Sequence, residues 1–83
     1  MTNITLPLPG KLYKTKQDIT LYGVSKIQKI YIILNKGAVI MFTSSKLVNH
    51  GFDVHCYVLY GSEVWKAPLY SKQHVNKIFE SVE

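Results

Sequence analysis

Residues 29–43 decide the fold, and they read Lys29-Ile-Tyr-Ile-Ile-Leu34, Asn35-Lys-Gly37 and Ala38-Val-Ile-Met-Phe-Thr43. Both flanks are rich in β-branched residues, which favour strands. Asn at the start of the central tripeptide and Gly at its left-handed position suit a three-residue hairpin loop with a bulge. The stretch therefore predicts two β-strands that pair across this turn.

Helical spacing offers an alternative for the same region, because Val24, Ile27, Tyr31 and Leu34 would share one face of a helix. Such a helix would leave Ile32 on its polar side. The turn chemistry also favours a hairpin, so we predict strands here.

Outside this hairpin, short strands alternate with polar segments. Lys11–Lys14 and Ile19–Tyr22 read as two strands around the polar segment at 15–18. After the hairpin, Thr43–Lys46 and Asn49–Gly51 bracket a predicted loop. Polar and turn-forming residues in clusters are typical of such connections.

A second hairpin is predicted for Val54–Tyr60 and Glu63–Lys66, joined by Gly61-Ser62. Gly as the first residue of a two-residue loop fits a type II′ turn. Pro68 then ends the second strand of this hairpin.

A carboxy-terminal helix is predicted after Ser71, a residue type that caps helices. Residues at helical spacing form an apolar stripe, while the polar residues between them face water. The stripe consists of Val75, Ile78, Phe79 and Val82, and the polar face of Lys72, Gln73, Asn76, Lys77 and Glu80.

The 83 residues are too few for two hydrophobic cores, so we predict a single domain over 1–83. Residues 1–10 contain Pro7 and Pro9 and read as an extended amino-terminal arm. Residues 11–70 are predicted to form a mainly-β barrel, and 71–83 the helix that packs on it.

Cysteine content and hydropathy indicate the compartment. Cys56 is the single cysteine, so no intrachain disulfide forms, and small domains without disulfides usually belong to reducing compartments. The amino terminus does not resemble a secretory signal. The longest apolar run, Ile30–Leu34, is far shorter than the roughly 20 residues that span a bilayer. We predict a cytoplasmic protein without a membrane partner.

The formal net charge of +5 arises from lysines, since the sequence contains no arginine. Lysine attracts phosphates and acidic surfaces at long range, whereas arginine supplies the bidentate fork that reads guanine. The composition therefore disfavours a sequence-specific DNA-binding protein.

Several local patterns resemble the SH3-like small barrel: five short strands with a polar first loop, Leu12-Tyr13 near the start, and Gly61-Ser-Glu-Val-Trp65 leading to Pro68-Leu-Tyr70. The resemblance implies a five-stranded barrel. It extends to small SH3-like accessory proteins of tailed bacteriophages, which are of similar size and charge. Recognition of basic PxxP peptides does not carry over, because the first loop, Lys14–Asp18, is mainly basic here. The added helix leaves open a different small β-sheet-plus-helix fold.

The sequence predicts neither a metal site nor an enzyme, and it implies no cofactor. His50, Asp53, His55 and Cys56 have metal-ligand side chains, but strand alternation sends Asp53 and His55 to one face and Cys56 to the other. The same alternation separates His55 from Cys56 as a base and nucleophile pair. No Gly-x-Ser-x-Gly frame or Gly-rich phosphate loop occurs.

Aromatic and cationic residues are interleaved along the chain, which is typical of interaction surfaces. We predict a non-catalytic interaction module, a phage-encoded accessory factor that binds and modulates an acidic host protein in the cytoplasm of the host cell. The alternative is sequence-nonspecific binding of single-stranded nucleic acid. The predicted binding residues are Trp65, Tyr13, Tyr70, Tyr60, Lys11, Lys14, Lys16, Lys29 and Lys66.

Overall fold

The computed structural model describes residues 6–82, which form eight strands and one helical turn. Residues 1–5 of the predicted arm and Glu83 of the predicted helix lie outside the described residues. The elements are β1 (Leu12–Thr15), β2 (Ile19–Gly23), β3 (Tyr31–Leu34), β4 (Val39–Val48), β5 (Asp53–Tyr60), β6 (Glu63–Lys66), β7 (Tyr70–Ser71), α1 (Val75–Ile78) and β8 (Phe79–Ser81).

All strands belong to one antiparallel sheet with the order β3-β2-β6-β5-β4-β1-β8, and β7 pairs with β5. The sheet curls into a half-barrel. The prediction of a mainly-β fold is confirmed. The described residues form eight strands and not the predicted five, and β7 and β8 are the two that the sequence did not predict as strands.

The core lies on the concave face of the sheet and is built around three aromatic rings. Phe42 is fully buried and makes edge-to-face contacts with Tyr13 at 5.1 Å and with Phe79 at 4.9 Å between ring centroids. Aliphatic side chains from the central strands surround these rings. They include Leu21, Ile40, Val54, Val58 and, from α1, Val75.

The predicted hairpin between residues 29–34 and 38–43 is wrong in its pairing, although the turn at Asn35–Gly37 exists. β3 pairs with β2, whereas β4 pairs with β1 and β5. Thr15 explains the difference, because its buried hydroxyl donates to the Asn35 carbonyl at 3.2 Å and accepts from the Gly37 amide at 3.1 Å. The turn is thereby attached to β1, and it carries the chain from the end strand β3 to the interior strand β4.

Strand β2 turns into β3 through a tight loop over residues 24–30. The Gln28 side chain holds this loop, accepting from the Val24 amide at 2.8 Å and donating to the Val64 carbonyl at 2.8 Å. Gly23 is required at its start, because a Cβ there would overlap the carbonyl oxygen of Lys29.

The loop predicted between residues 43 and 51 is largely strand. β4 continues to Val48 and pairs with β5, and the register shifts between Phe42 and Ser44. This β-bulge interrupts the apolar alternation on which a strand prediction depends. The actual turn covers Asn49–Gly51, where three consecutive residues have positive φ.

The hairpin of β5 and β6 is confirmed, with Tyr60 opposite Glu63. Its turn differs from the predicted type II′, since Gly61 (φ 60°) and Ser62 (φ 65°) are both left-handed. Positive φ at both central residues defines type I′.

The predicted carboxy-terminal helix is much shorter in the structure than the sequence indicated. Only Val75–Ile78 is helical, and the chain then becomes strand β8, which pairs with β1. Ser71 does not cap the helix; its hydroxyl is hydrogen-bonded to His74 Nδ1 at 2.8 Å. A further helical turn would add little stability on its own. As strand β8, the same residues pair with β1 and satisfy the backbone groups at its open edge.

Candidate interaction surface

The convex face of the sheet carries an apolar row that crosses four strands. Leu12 on β1 lies opposite Met41, Met41 opposite Leu59, and Leu59 opposite Val64 on β6. Directly opposite residues of antiparallel strands point to the same face, with Cβ atoms about 4.5–5.5 Å apart. Leu12 is 44% exposed and Val64 38%, while the two central side chains are half-buried. These four residues are called the apolar row below.

Two positions further along the strands, a second row contains three tyrosines and a lysine. Tyr31 lies opposite Tyr22, Tyr22 opposite Lys66, and Lys66 opposite Tyr57. Tyr31 and Tyr22 are 55% and 43% exposed. These four residues are called the tyrosine row. An open cleft of about 740 Å³ adjoins it, lined by Tyr22, Lys66, His55 and Leu69 among others.

Trp65 was predicted to bind a partner, but its ring is part of the core. Its side chain is 3% exposed, and Nε1 donates to the Tyr60 carbonyl at 3.1 Å. The alternation of β6 explains this position, because Val64 and Lys66 occupy the opposite face. A buried ring cannot stack on a ligand, so Trp65 contributes to stability and not to the surface.

Two of the other predicted aromatic residues also have structural contacts. The half-buried Tyr13 packs on Phe42, and its hydroxyl accepts from the Leu8 amide at 3.0 Å. Tyr70 is half-buried, and desolvation raises the pKa of its phenol to about 12. Tyr60 is exposed at the end of β5.

The predicted lysines do not form one cluster. Lys11, Lys14 and Lys16 lie on or beside β1, whereas Lys66 is on β6, and β4 and β5 separate these strands in the sheet. Lys29 precedes β3, at the far end of the sheet. Lys14 Nζ lies 3.7 Å from Glu80 Oε2, an exposed ion pair. Lysines therefore lie on two sides of the convex face, and Lys66 lies within it.

The residues with metal-ligand side chains are dispersed as strand alternation predicts. Cys56 is fully buried, and desolvation raises the pKa of its thiol to about 11. His55 faces the other side of β5 and packs edge-to-face on Tyr57 at 5.0 Å. The Asp53 carboxylate accepts a hydrogen bond from the side-chain amide nitrogen (Nδ2) of Asn49 at 2.6 Å. Within residues 6–82 no group of three such side chains converges on a potential metal position.

The sequence did not predict the apolar row, and Tyr22, Tyr31 and Tyr57 of the tyrosine row were among its aromatic candidates but not among the predicted binding residues. The available signal was alternation in β5, where Tyr57 and Leu59 must face away from the buried Val58. The missing information was the register between strands that are distant in sequence.

Comparisons of the chain with protein-family models, with curated proteins and with solved structures found no match. The resemblance to SH3-like phage accessory proteins therefore stays a prediction. In the described part of the chain, no helix has the length and apolar character needed to cross a bilayer.

Proposed function

We propose that this protein is a non-catalytic interaction module whose convex sheet face binds an acidic intracellular protein. The observation that carries the proposal is the apolar row, Leu12, Met41, Leu59 and Val64, on the solvent side of the sheet. Convex-face positions of an antiparallel sheet are ordinarily polar, because that face meets water. Contiguous exposed apolar side chains mark interaction sites.

The neighbouring tyrosine row extends this surface with side chains that suit protein recognition. Tyrosine contributes a large contact area at a low cost in conformational entropy. Lysines flank the face on two sides, and the net charge of +5 favours association with an acidic partner. An SH3-like barrel and a phage-encoded role in modulating a host protein are also part of the proposal, on the local patterns at residues 12–13 and 61–70.

The test is a quantitative affinity capture with the full chain and a variant of the apolar row. Val64→Lys places a charge in the row at an exposed position, so the fold is expected to persist. An ammonium in the row would be desolvated against apolar atoms of the partner, which outweighs its long-range attraction to an acidic surface, so we expect the main captured protein to fall by about tenfold or more. Lys77→Gln, on the exposed side of α1, is the matched control. The interaction is then reconstituted with the purified partner, and equal binding by Val64→Lys would contradict the proposal.

The tyrosine row specifically favours a second candidate, binding of single-stranded nucleic acid. Exposed rings beside Lys66 offer stacking platforms with a phosphate-binding cation. With a short oligothymidylate as the probe, affinity should fall steeply with salt, and Tyr22→Ala should cost about 1–3 kcal/mol. Phe52→Ala, an exposed ring outside the row, is the control. Absence of binding at low salt leaves protein recognition as the sole candidate.

A further inference from the structure

Strand β3 ends the sheet, and within residues 6–82 it pairs with β2 alone. The register shows which of its backbone groups are used. The Gly23 amide donates to the Ile30 carbonyl at 2.8 Å, which makes Gly23 and Ile30 a hydrogen-bonded pair. Such pairs alternate along an antiparallel ladder, so Ile32 and Leu34 also direct their backbone groups toward β2.

The backbone groups of Tyr31 and Ile33 consequently point away from β2. Among the described residues, no hydrogen bond reaches the amide or the carbonyl of either residue. These four groups form a regular array of donors and acceptors at the spacing of a β-ladder. An extended polypeptide segment can pair with these groups as an additional strand, so we expect the ligand of this edge to be an extended peptide.

Strand β3 contains no charged residue, proline or bulge, which are three of the features that usually protect an exposed edge. β3 reads Tyr-Ile-Ile-Leu, and its Ile33 side chain is 62% exposed. The opposite edge strand, β8, carries the charged Glu80, which pairs with Lys14. Of the two end strands of the described sheet, β3 is therefore the one without a charged residue.

The charges around β3 indicate whether its open edge pairs with a second copy of this chain or with another protein. Lys29 and Lys36 flank β3 at its two ends. Two copies paired antiparallel through β3 bring Lys29 of one copy close to Lys36 of the other at both ends of the ladder. Like charges on neighbouring strands are destabilising, whereas acidic residues at the ends of an added strand would be attracted. The nearby Asp18 carboxylate accepts from the Lys36 amide at 2.7 Å, on the side of β2.

We propose that the open edge of β3 binds an extended segment of a partner protein, apolar at alternate positions and acidic at both ends, as an added strand. The proposal concerns backbone groups at the sheet edge and does not depend on the apolar row, although the Tyr31 side chain belongs to the tyrosine row.

The test uses the ¹⁵N-labelled full chain and a capped peptide with alternating valine and threonine between pairs of glutamates. In the free protein, the amides of Tyr31 and Ile33 should exchange with solvent faster than those of Ile32 and Leu34. Saturating peptide should slow exchange at Tyr31 and Ile33 by about tenfold or more. The same peptide with lysines in place of the glutamates should bind at least about tenfold more weakly.

Ile33→Pro removes an edge amide without breaking the ladder to β2, and proline is tolerated at such positions. Binding should be lost in Ile33→Pro and largely kept in the matched control Ile33→Thr. Should the proline variant fail to fold, the double variant Lys29→Glu and Lys36→Glu replaces it, and its preference should reverse toward the lysine peptide. Val64→Lys, in the apolar row, should bind the peptide normally, which separates this site from the convex face.

Three results would overturn the proposal: unchanged exchange at Tyr31 and Ile33 with saturating peptide, equal binding by the proline and threonine variants, or equal binding of both peptides. Protection of the two amides that rises with protein concentration, without peptide, would also overturn it, because the occupant would then be a second copy of the chain.

Discussion

Replacing Phe79 by alanine tests whether the end of the chain is a strand docked in the core. Phe79 is 4% exposed and makes edge-to-face contacts with Phe42 at 4.9 Å and with Tyr70 at 5.8 Å. Removal of a buried phenylalanine ring costs about 3–5 kcal/mol, including the cavity left behind. A domain of this size has a total stability of about 4–12 kcal/mol, so Phe79→Ala should be severely destabilised.

Val82 is the matched control, because an amphipathic helix would place it on the same buried stripe as Phe79. In the structure Val82 is 50% exposed, so Val82→Ala should change the free energy of unfolding by less than about 0.5 kcal/mol. The two substitutions therefore separate a strand at Phe79–Ser81 from a continuous helix.

The measurement is urea unfolding followed by tryptophan fluorescence, since Trp65 is buried and reports on the core. Phe79→Leu keeps part of the apolar volume and provides a folded intermediate case if the alanine variant does not fold. Comparable destabilisation by Val82→Ala and Phe79→Ala, or a cost below about 1 kcal/mol for Phe79→Ala, would refute the docked strand.

Three further predictions concern the turns and the buried thiol. Ser62→Gly should raise the free energy of unfolding in urea by about 0.5–1 kcal/mol, because Ser62 has a φ of 65°; a loss of stability would contradict the type I′ turn. Gly23→Ala should lower the melting temperature by about 10 °C, corresponding to about 2 kcal/mol, since the new Cβ would overlap the Lys29 carbonyl oxygen; an unchanged melting temperature would contradict that close approach. Folding raises the pKa of the Cys56 thiol from 9.0 to about 11, so the associated stability is complete below pH 9 and is lost as the pH rises through 11. Cys56→Ala should flatten this alkaline decline in urea unfolding, and an identical decline in both proteins would assign it to other groups, such as Tyr70.

The sequence predicted those parts of the fold that depend on residues close together in the chain. The β5–β6 hairpin is an example, because Gly61-Ser62 brings adjacent strands together with little loop to close. The partner of β3 was not predictable in this way. The turn at Asn35–Gly37 is compatible with a hairpin, and the choice against one depends on Thr15, which lies 22 residues from Gly37 in sequence.

The carboxy-terminal segment shows a different limit, since its apolar residues fit more than one structure. Val75 and Ile78 are buried at helical spacing, as the stripe predicts. Phe79 is buried as well, but as the first residue of a strand opposite Thr15. Over so few residues the apolar patterns of a helix and a strand overlap. The open edge of β1 determines that Phe79–Ser81 forms a strand.

The candidate surface was the least predictable feature because it depends on the register of several strands at once. Choosing residues by type selected Trp65, which the phase of β6 places inside. Tyr22 and Lys66 became neighbours only through the pairing of β2 with β6. Residue type therefore led to the prediction of an interaction protein, while the strand pairing determined which residues lie on the surface.

The β-bulge in β4 determines which side chains of this strand face the core and which face the convex side. Before the bulge, Ile40 and Phe42 face the core; after it, Ser45 lies opposite Cys56 on the core side and Lys46 lies opposite His55 on the convex side. An uninterrupted alternation would direct Lys46 inward, where an unpaired ammonium would be strongly disfavoured. The extra residue, Thr43, is held by a hydrogen bond from its hydroxyl to the Tyr57 carbonyl at 3.2 Å. The bulge thus lets β4 continue beyond Phe42 with Ser45 on the core side and Lys46 on the convex side. The same shift in phase that hid the second half of β4 from the sequence pattern therefore keeps Lys46 out of the core.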